Sequence, residues 1–188
     1  MNKSFAAQCR IPTTLGPMTL AATAQGLAGA WFDAQTHHPG DLPAPVDPAH
    51  PWLAQATQEL VDYFAGTRQV FDVPLDPQGT AFQRSVWRSL QRITCGRLLS
   101  YSAIAAELGQ PAAARAVGAA VGRNPISIIV PCHRVVGRNG TLTGYAGGLP
   151  RKQALLAQEG ALSGALSGAL DFAPDRLRAC GSPGAARA

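Results

Sequence analysis

The chain has 188 residues, of which 46% are apolar and 14% charged. That length and apolar fraction suit one ordinary domain or two small ones with a real core, and they exclude disorder as the main state. The net charge of +5 is unevenly spread: residues 1–78 carry −4, residues 79–160 carry +8 and residues 161–188 carry +1. A basic segment beside an acidic one points to two parts with different partners, and the basic part suits a polyanion, nucleic acid first. No apolar run approaches the ~18 residues of a membrane span, and the N-terminal stretch lacks a signal peptide's apolar core. The expected protein is soluble and intracellular. Cysteines at 9, 95, 132 and 180 form no CxxC pair, so they are read as reduced thiols.

MTLAAT (18–23) and GLAGAWFD (26–33) read as a β-hairpin, and five prolines between 39 and 51 dictate an irregular loop. Residues 52–64 place apolar side chains at 53, 60, 61, 63 and 64 before Gly66, which predicts an amphipathic helix. VFDVPLDP (70–77) reads as a short strand. The expected fold is a small α/β unit over 1–78, an antiparallel sheet plus a helix, followed by a mostly helical C-terminal domain with a helix-turn-helix over 79–160. Residues 161–188, with ALSG twice in tandem, are expected to be a flexible tail.

Thr80 is the expected N-cap of a helix whose stripe is Phe82, Val86, Leu90 and Ile93. Arg84, Arg88 and Arg92 form a second stripe, either a solvated face or a phosphate contact. Ser100 or Ser102 caps a short helix that Gly109 stops, and Gln110-Pro111 turns into a second helix over 111–122. This is a helix-turn-helix layout, although any pair of antiparallel helices looks similar. The second helix is almost all Ala, Gly and Val, with Arg115 its one charge. It suits either close approach to another surface or tight packing in a core.

ISIIV (126–130) reads as a short buried strand ended by Pro131, with Cys132 and His133 at its exit and an Asn139-Gly140 hairpin turn beyond. A Cys beside a His is a candidate nucleophile with a nearby base, or buried filler. On an extended chain the two side chains point apart, so a turn at Pro131 or a bridging water is required.

PCHRV, with Asn124-Pro125 eight residues before the cysteine and a Tyr-x-Gly-Gly at 145–148, resembles the O6-alkylguanine-DNA alkyltransferases. The resemblance covers about residues 80–160, and more weakly the N-terminal part. It implies that Cys132 accepts the alkyl group, His133 deprotonates it through a water, and Glu159 orients that histidine. It implies that Asn124 braces the backbone and that Tyr101 helps turn the nucleotide out and protonates the leaving guanine. Arg115 would fill the gap in the base stack, Tyr145 would cover the pocket, and Ala114, Ala116, Gly118, Ala119 and Arg123 would meet DNA on the recognition helix. The implied function is irreversible, single-use transfer from O6-alkylguanine, and from O4-alkylthymine, in flipped-out nucleotides. The expected partner is duplex DNA. No cofactor, no metal and no membrane are expected, and the expected form is a cytoplasmic monomer.

Three departures from the family pattern stand out. Thr23 and Ala28 occupy positions where zinc-holding members have a Cys and a His. Ala146 follows Tyr145 where some members have a Ser, and Ser127 replaces a Pro. Cys132 argues against the alkyltransferase-like proteins that lack it. The small side chains of 112–122 argue against a regulator that reads the major groove, and no oxyanion hole is evident for a cysteine hydrolase.

Overall fold

The computed structural model describes residues 5–162, so the expected tail and Cys180 lie outside the described residues. Three strands, β1 (Ala7–Ile11), β2 (Met18–Ala22) and β3 (Leu27–Phe32), form an antiparallel sheet in chain order. The expected hairpin is β2–β3, with Met18 opposite Phe32 and a register shift at Ala21/Ala22. An open sheet edge exposes unpaired backbone groups, and loops cover these edges. Gln8 of β1 exchanges backbone hydrogen bonds with Pro45 and Asp47, and Leu27 of β3 with Pro74 and Asp76. Ala30 of β3 bonds Pro125 and Ser127, which brings the 124–134 segment directly onto the sheet.

Helix α1 (Pro51–Phe64) begins with a proline whose missing N–H costs nothing at a first helical position. It packs on the sheet through Leu53, Ala56, Leu60 and Tyr63, whereas Val61, expected on that face, is 53% exposed. Glu59 is also buried on this face. Its carboxylate accepts from the backbone of Asp72 (3.0 Å) and Val73 (3.3 Å) and from Gln55 Nε2 (2.8 Å). This corrects the expected strand over 70–77: a side chain takes the backbone donors there, and a single bridge from Leu75 to Leu27 is what remains.

Helix α2 (Ala81–Gln91) opens with a capping box in which Thr80 accepts from Gln83 N and Gln83 accepts from Thr80 N. Val86, Trp87, Leu90 and Ile93 are buried, and Trp87 Nε1 donates to Ala120 O at 2.9 Å. Arg84, Arg88 and Arg92 are exposed, and Arg92 pairs with Glu107 at 3.5 Å.

A two-residue strand, β4 (Leu99–Ser100), leads into α3 (Tyr101–Glu107). Ser100, not Ser102, is the cap, accepting from Ala103 N at 3.1 Å. Gly109 ends the helix at φ +70°, a conformation glycine adopts without strain. A 3₁₀ turn (Pro111–Ala113) precedes α4 (Ala114–Gly122), so the expected helix over 111–122 begins as a tighter turn. Strand β5 (Val135–Val136) runs parallel to β4, and α5 (Leu149–Gln158) closes the domain. The Asn139-Gly140 turn forms, closed by Gly137 N to Thr141 O, but no strand follows it. One buried cluster runs from Ala7 to Leu155 across both parts. Among the described residues, no helix is long and apolar enough to cross a membrane.

Candidate active site

ISIIV is not a strand. It is a buried turn organised by the Asn124 side chain. Asn124 Oδ1 accepts from Ile126 N (3.1 Å), and Nδ2 reaches Val130 O (2.8 Å), Ile126 O (3.2 Å) and Cys132 Sγ (3.0 Å). These bonds replace the ladder a strand would make. They also hold fully buried Ile128 at φ +72°, a conformation that costs a β-branched residue about 1–3 kcal/mol. Cys132–Arg134 then form a single 3₁₀ turn, not extended chain.

Cys132 and His133 make no direct hydrogen bond; each is held by its own partners. His133, fully buried, places Nε2 at 2.9 Å from Glu159 Oε1, while its Nδ1 is buried with no hydrogen-bond partner. Glu159, at the C-cap of α5, is encircled by donors. Arg134 contributes Nε to Oε2 (2.9 Å) and Nη2 to Oε1 (2.8 Å), and Tyr63 OH reaches Oε1 at 2.8 Å. Arg134 also donates to Ile93 O.

The electrostatics follow from this geometry. Burial alone would raise Glu159, but hydrogen bonds from His133 and Arg134 outweigh it and bring the carboxyl down to about 2. An ionised carboxylate only accepts, so His133 Nε2 carries the hydrogen and Nδ1 presents a lone pair. Burial lowers the His133 pKa; Glu159 opposes this, while Arg134 and Lys152 reinforce it, so the neutral base is the resting form. Burial raises the Cys132 pKa, against the Asn124 hydrogen bond and the Lys152 charge, which both lower it. The pair at rest is a thiol and a free imidazole nitrogen: a nucleophile precursor and a base.

Lys152 is fully buried and donates to Val135 O, Thr143 O (2.8 Å) and Gly144 O (3.4 Å). Burial brings it down to about 8. Tyr101 OH donates to the same Thr143 O at 3.2 Å, so Lys152 and Tyr101 together fix the loop that carries Tyr145.

Cys132 lies at a cavity of about 220 Å³ that Tyr101, Gly118, Val121, Tyr145 and His37 also line. Tyr145 buries its hydroxyl toward Ser127 without a well-formed hydrogen bond, and burial raises its pKa well above the usual value. Of the expected site residues, Cys132, Tyr101, Tyr145 and Gly118 of α4 line this cavity; Asn124 is joined to it through its bond to Cys132 Sγ, and the buried His133–Glu159 pair is not part of its wall. Arg115, Ala116 and Ala119 lie exposed on α4, as does Arg123 at its C-cap, and Ala114 is half-buried. Tyr63, Arg134 and Lys152 were missed by sequence reasoning. Arg134 lies inside PCHRV, but nothing in the spacing of Tyr63 or Lys152 connects them to Cys132.

The departures also have structural counterparts. Thr23 Oγ1 donates to Asp76 Oδ2 at 2.7 Å, and Ala28 is buried. Cys9 is core filler, and Ser127 Oγ donates to Gln35 Oε1 at 3.1 Å. Ala146 contributes its backbone, accepting from Thr36 N at 2.9 Å, so the loop that carries Tyr145 is tied to the N-terminal part. Among the described residues no group of three or more His, Cys, Asp or Glu is placed to hold a metal ion.

Two family models match the chain: "6-O-methylguanine DNA methyltransferase, ribonuclease-like domain" over residues 10–77 and "6-O-methylguanine DNA methyltransferase, DNA binding domain" over 81–161. The methylated-DNA–protein-cysteine methyltransferase of Salmonella typhimurium is 60% identical over 107 residues, which span 56% of this chain and 63% of that relative. The chain thus spans under two thirds of that relative's length. The Mycobacterium tuberculosis protein of the same name is 48% identical over 149 residues, spanning 79% of this chain and 89% of the relative. The crystal structure of Mycobacterium tuberculosis OGT in complex with DNA superposes with a TM-score of 0.76 at 45% identity, covering 82% of this chain and 92% of that one. With both halves matched and the cavity built around the PCHRV cysteine, the chain belongs to the 6-O-methylguanine DNA methyltransferase family.

Proposed function

We propose that this protein repairs DNA by moving the alkyl group of O6-alkylguanine, or of O4-alkylthymine, onto Cys132, once per molecule. The observation that carries the reading is the Cys132 thiol at a cavity beside α4, next to a buried imidazole with a free Nδ1. His133 takes the thiol proton, through a water in the family's manner, and Glu159 stabilises the imidazolium that forms. Sγ attacks the alkyl carbon, the Sγ–C bond forms, the C–O6 bond breaks, and Tyr101 supplies a proton to the leaving guanine.

A free thiol is only about 3% ionised at pH 7, so complete ionisation gains roughly 30-fold, or about 2 kcal/mol. Burial raises the Cys132 pKa further, which makes the base more necessary. Positioning of the carbon on sulfur supplies the larger share. The thioether product has no route back, so the protein is consumed.

The alkyl carbon is hidden inside a duplex, so the nucleotide must turn out into the cavity. In this reading residues 79–160 form the DNA-binding and acceptor domain and residues 1–78 its α/β companion. The small face of α4, with Ala114, Ala116, Gly118 and Ala119, enters a minor groove ~6 Å wide. Arg123 contacts the backbone, Arg115 occupies the vacated stack and Tyr145 covers the base. Arg115→Ala is expected to slow single-turnover transfer about tenfold, since unstacking costs a few kcal/mol and the arginine offsets part of it. An unchanged rate removes Arg115 from the mechanism. The function itself is tested by titrating protein against duplex DNA containing O6-methylguanine. Repair should plateau at one lesion per protein molecule; continued turnover, or no loss of the lesion, contradicts the reading.

A further inference from the structure

We propose that Tyr63, from the N-terminal part, is a positioning residue that sets the proton affinity of His133 through Glu159. This inference rests on the repair reading above. Tyr63 OH donates at 2.8 Å to Oε1, the same oxygen that holds His133 Nε2 at 2.9 Å. The contact spans 96 residues of sequence, and Gln158 Nε2 reinforces it by donating to Tyr63 O at 2.6 Å. The last turn of α1 is thus fastened to the end of α5, directly behind the histidine.

Oε1 has three donors: His133, Arg134 and Tyr63. Each donor draws off negative charge that would otherwise favour imidazolium. The tyrosine cannot become a competing anion, because burial and the Glu159 charge raise its pKa far above the usual value. It therefore acts as a fixed dipole that keeps the histidine neutral, with Nδ1 free. The other groups facing this pair are Arg134 and Cys132 of the 3₁₀ turn, Lys152 of α5, Tyr145 of the loop before α5 and Cys95 after α2. Of all these, Tyr63 is the group supplied by the N-terminal part. That part thereby acts on the chemistry through Glu159.

The test is Tyr63→Phe, which keeps the ring that packs on Phe64 and Phe71 at 5.5 Å centroid separation. Without the hydroxyl, Oε1 attracts the His133 proton more strongly, so the histidine stays protonated to higher pH. The acid limb of the single-turnover pH–rate profile should move to higher pH, lowering the rate about threefold on that limb while the alkaline plateau is kept. A superimposable profile overturns the proposal, and so does a uniform loss at every pH, which means packing alone. An NMR titration of the His133 ring in free protein reads the same shift without DNA. It should rise in the variant, and an unchanged titration overturns the proposal even if wild-type protein transfers nothing, an outcome that would instead contradict the repair reading.

Discussion

Cys132→Ala is expected to abolish alkyl transfer while leaving binding to O6-methylguanine DNA within a few-fold of wild type. The thiol is buried in the turn, 3% exposed, so it lends little to any binding surface. Its removal takes away the one atom able to form the new bond. Neighbouring groups cannot substitute: Cys95 and Cys9 do not line the cavity, and the Tyr101 and Tyr145 hydroxyls are held protonated by burial. The variant should also be stable, because the Asn124 amide keeps Ile126 O and Val130 O as partners after losing sulfur. Following radiolabel from DNA to protein checks this. Residual transfer by the alanine variant would mean that another group is the acceptor.

Glu159→Gln is expected to cost both stability and rate. The carboxylate balances Arg134, which is 5% exposed, and removing one partner of a buried ion pair costs about 3–5 kcal/mol. Transfer should fall about 10²-fold, because His133 loses the anion that stabilises its protonated form. The pH dependence follows from the same residue. Its folded pKa, about 2, lies below the ordinary 4.5, so its stabilisation is complete above 4.5 and is lost as pH falls toward 2. That difference amounts to about 3 kcal/mol. Urea unfolding of wild type should show this loss across the acid range, and the glutamine variant should lack that component. Equal acid sensitivity in both proteins would assign it to other carboxylates. If Glu159→Gln does not fold, Glu159→Asp supplies the comparison, with a weaker version of both effects.

Local signals in the sequence were read correctly where the backbone answers to its own neighbours. The β2–β3 hairpin, the Thr80 cap, the Gly109 stop and the small-residue helix after Pro111 are of this kind. The expected strands at 70–77 and 126–130 failed for one shared reason: a distant or nearby polar side chain, Glu59 or Asn124, takes the backbone groups that a ladder needs. Composition does not reveal that competition, because Val and Ile look the same in a strand and in a buried turn. The motif points to Cys132, His133 and Asn124, and the family resemblance adds Glu159. What surrounds Glu159 was not legible. Tyr63 arrives across 96 residues, and nothing local to Lys152 announces that the fold buries it.

Movement of the alkyl carbon from DNA to Cys132 Sγ can be read by intact-protein mass spectrometry. Protein is incubated with duplex DNA containing O6-methylguanine, then digested and its peptides mapped. The expected result is a gain of one methylene per molecule, confined to the peptide bearing Cys132. An unchanged mass despite tight binding to the damaged duplex, or methylation at Cys9, Cys95 or Cys180 instead, would contradict it.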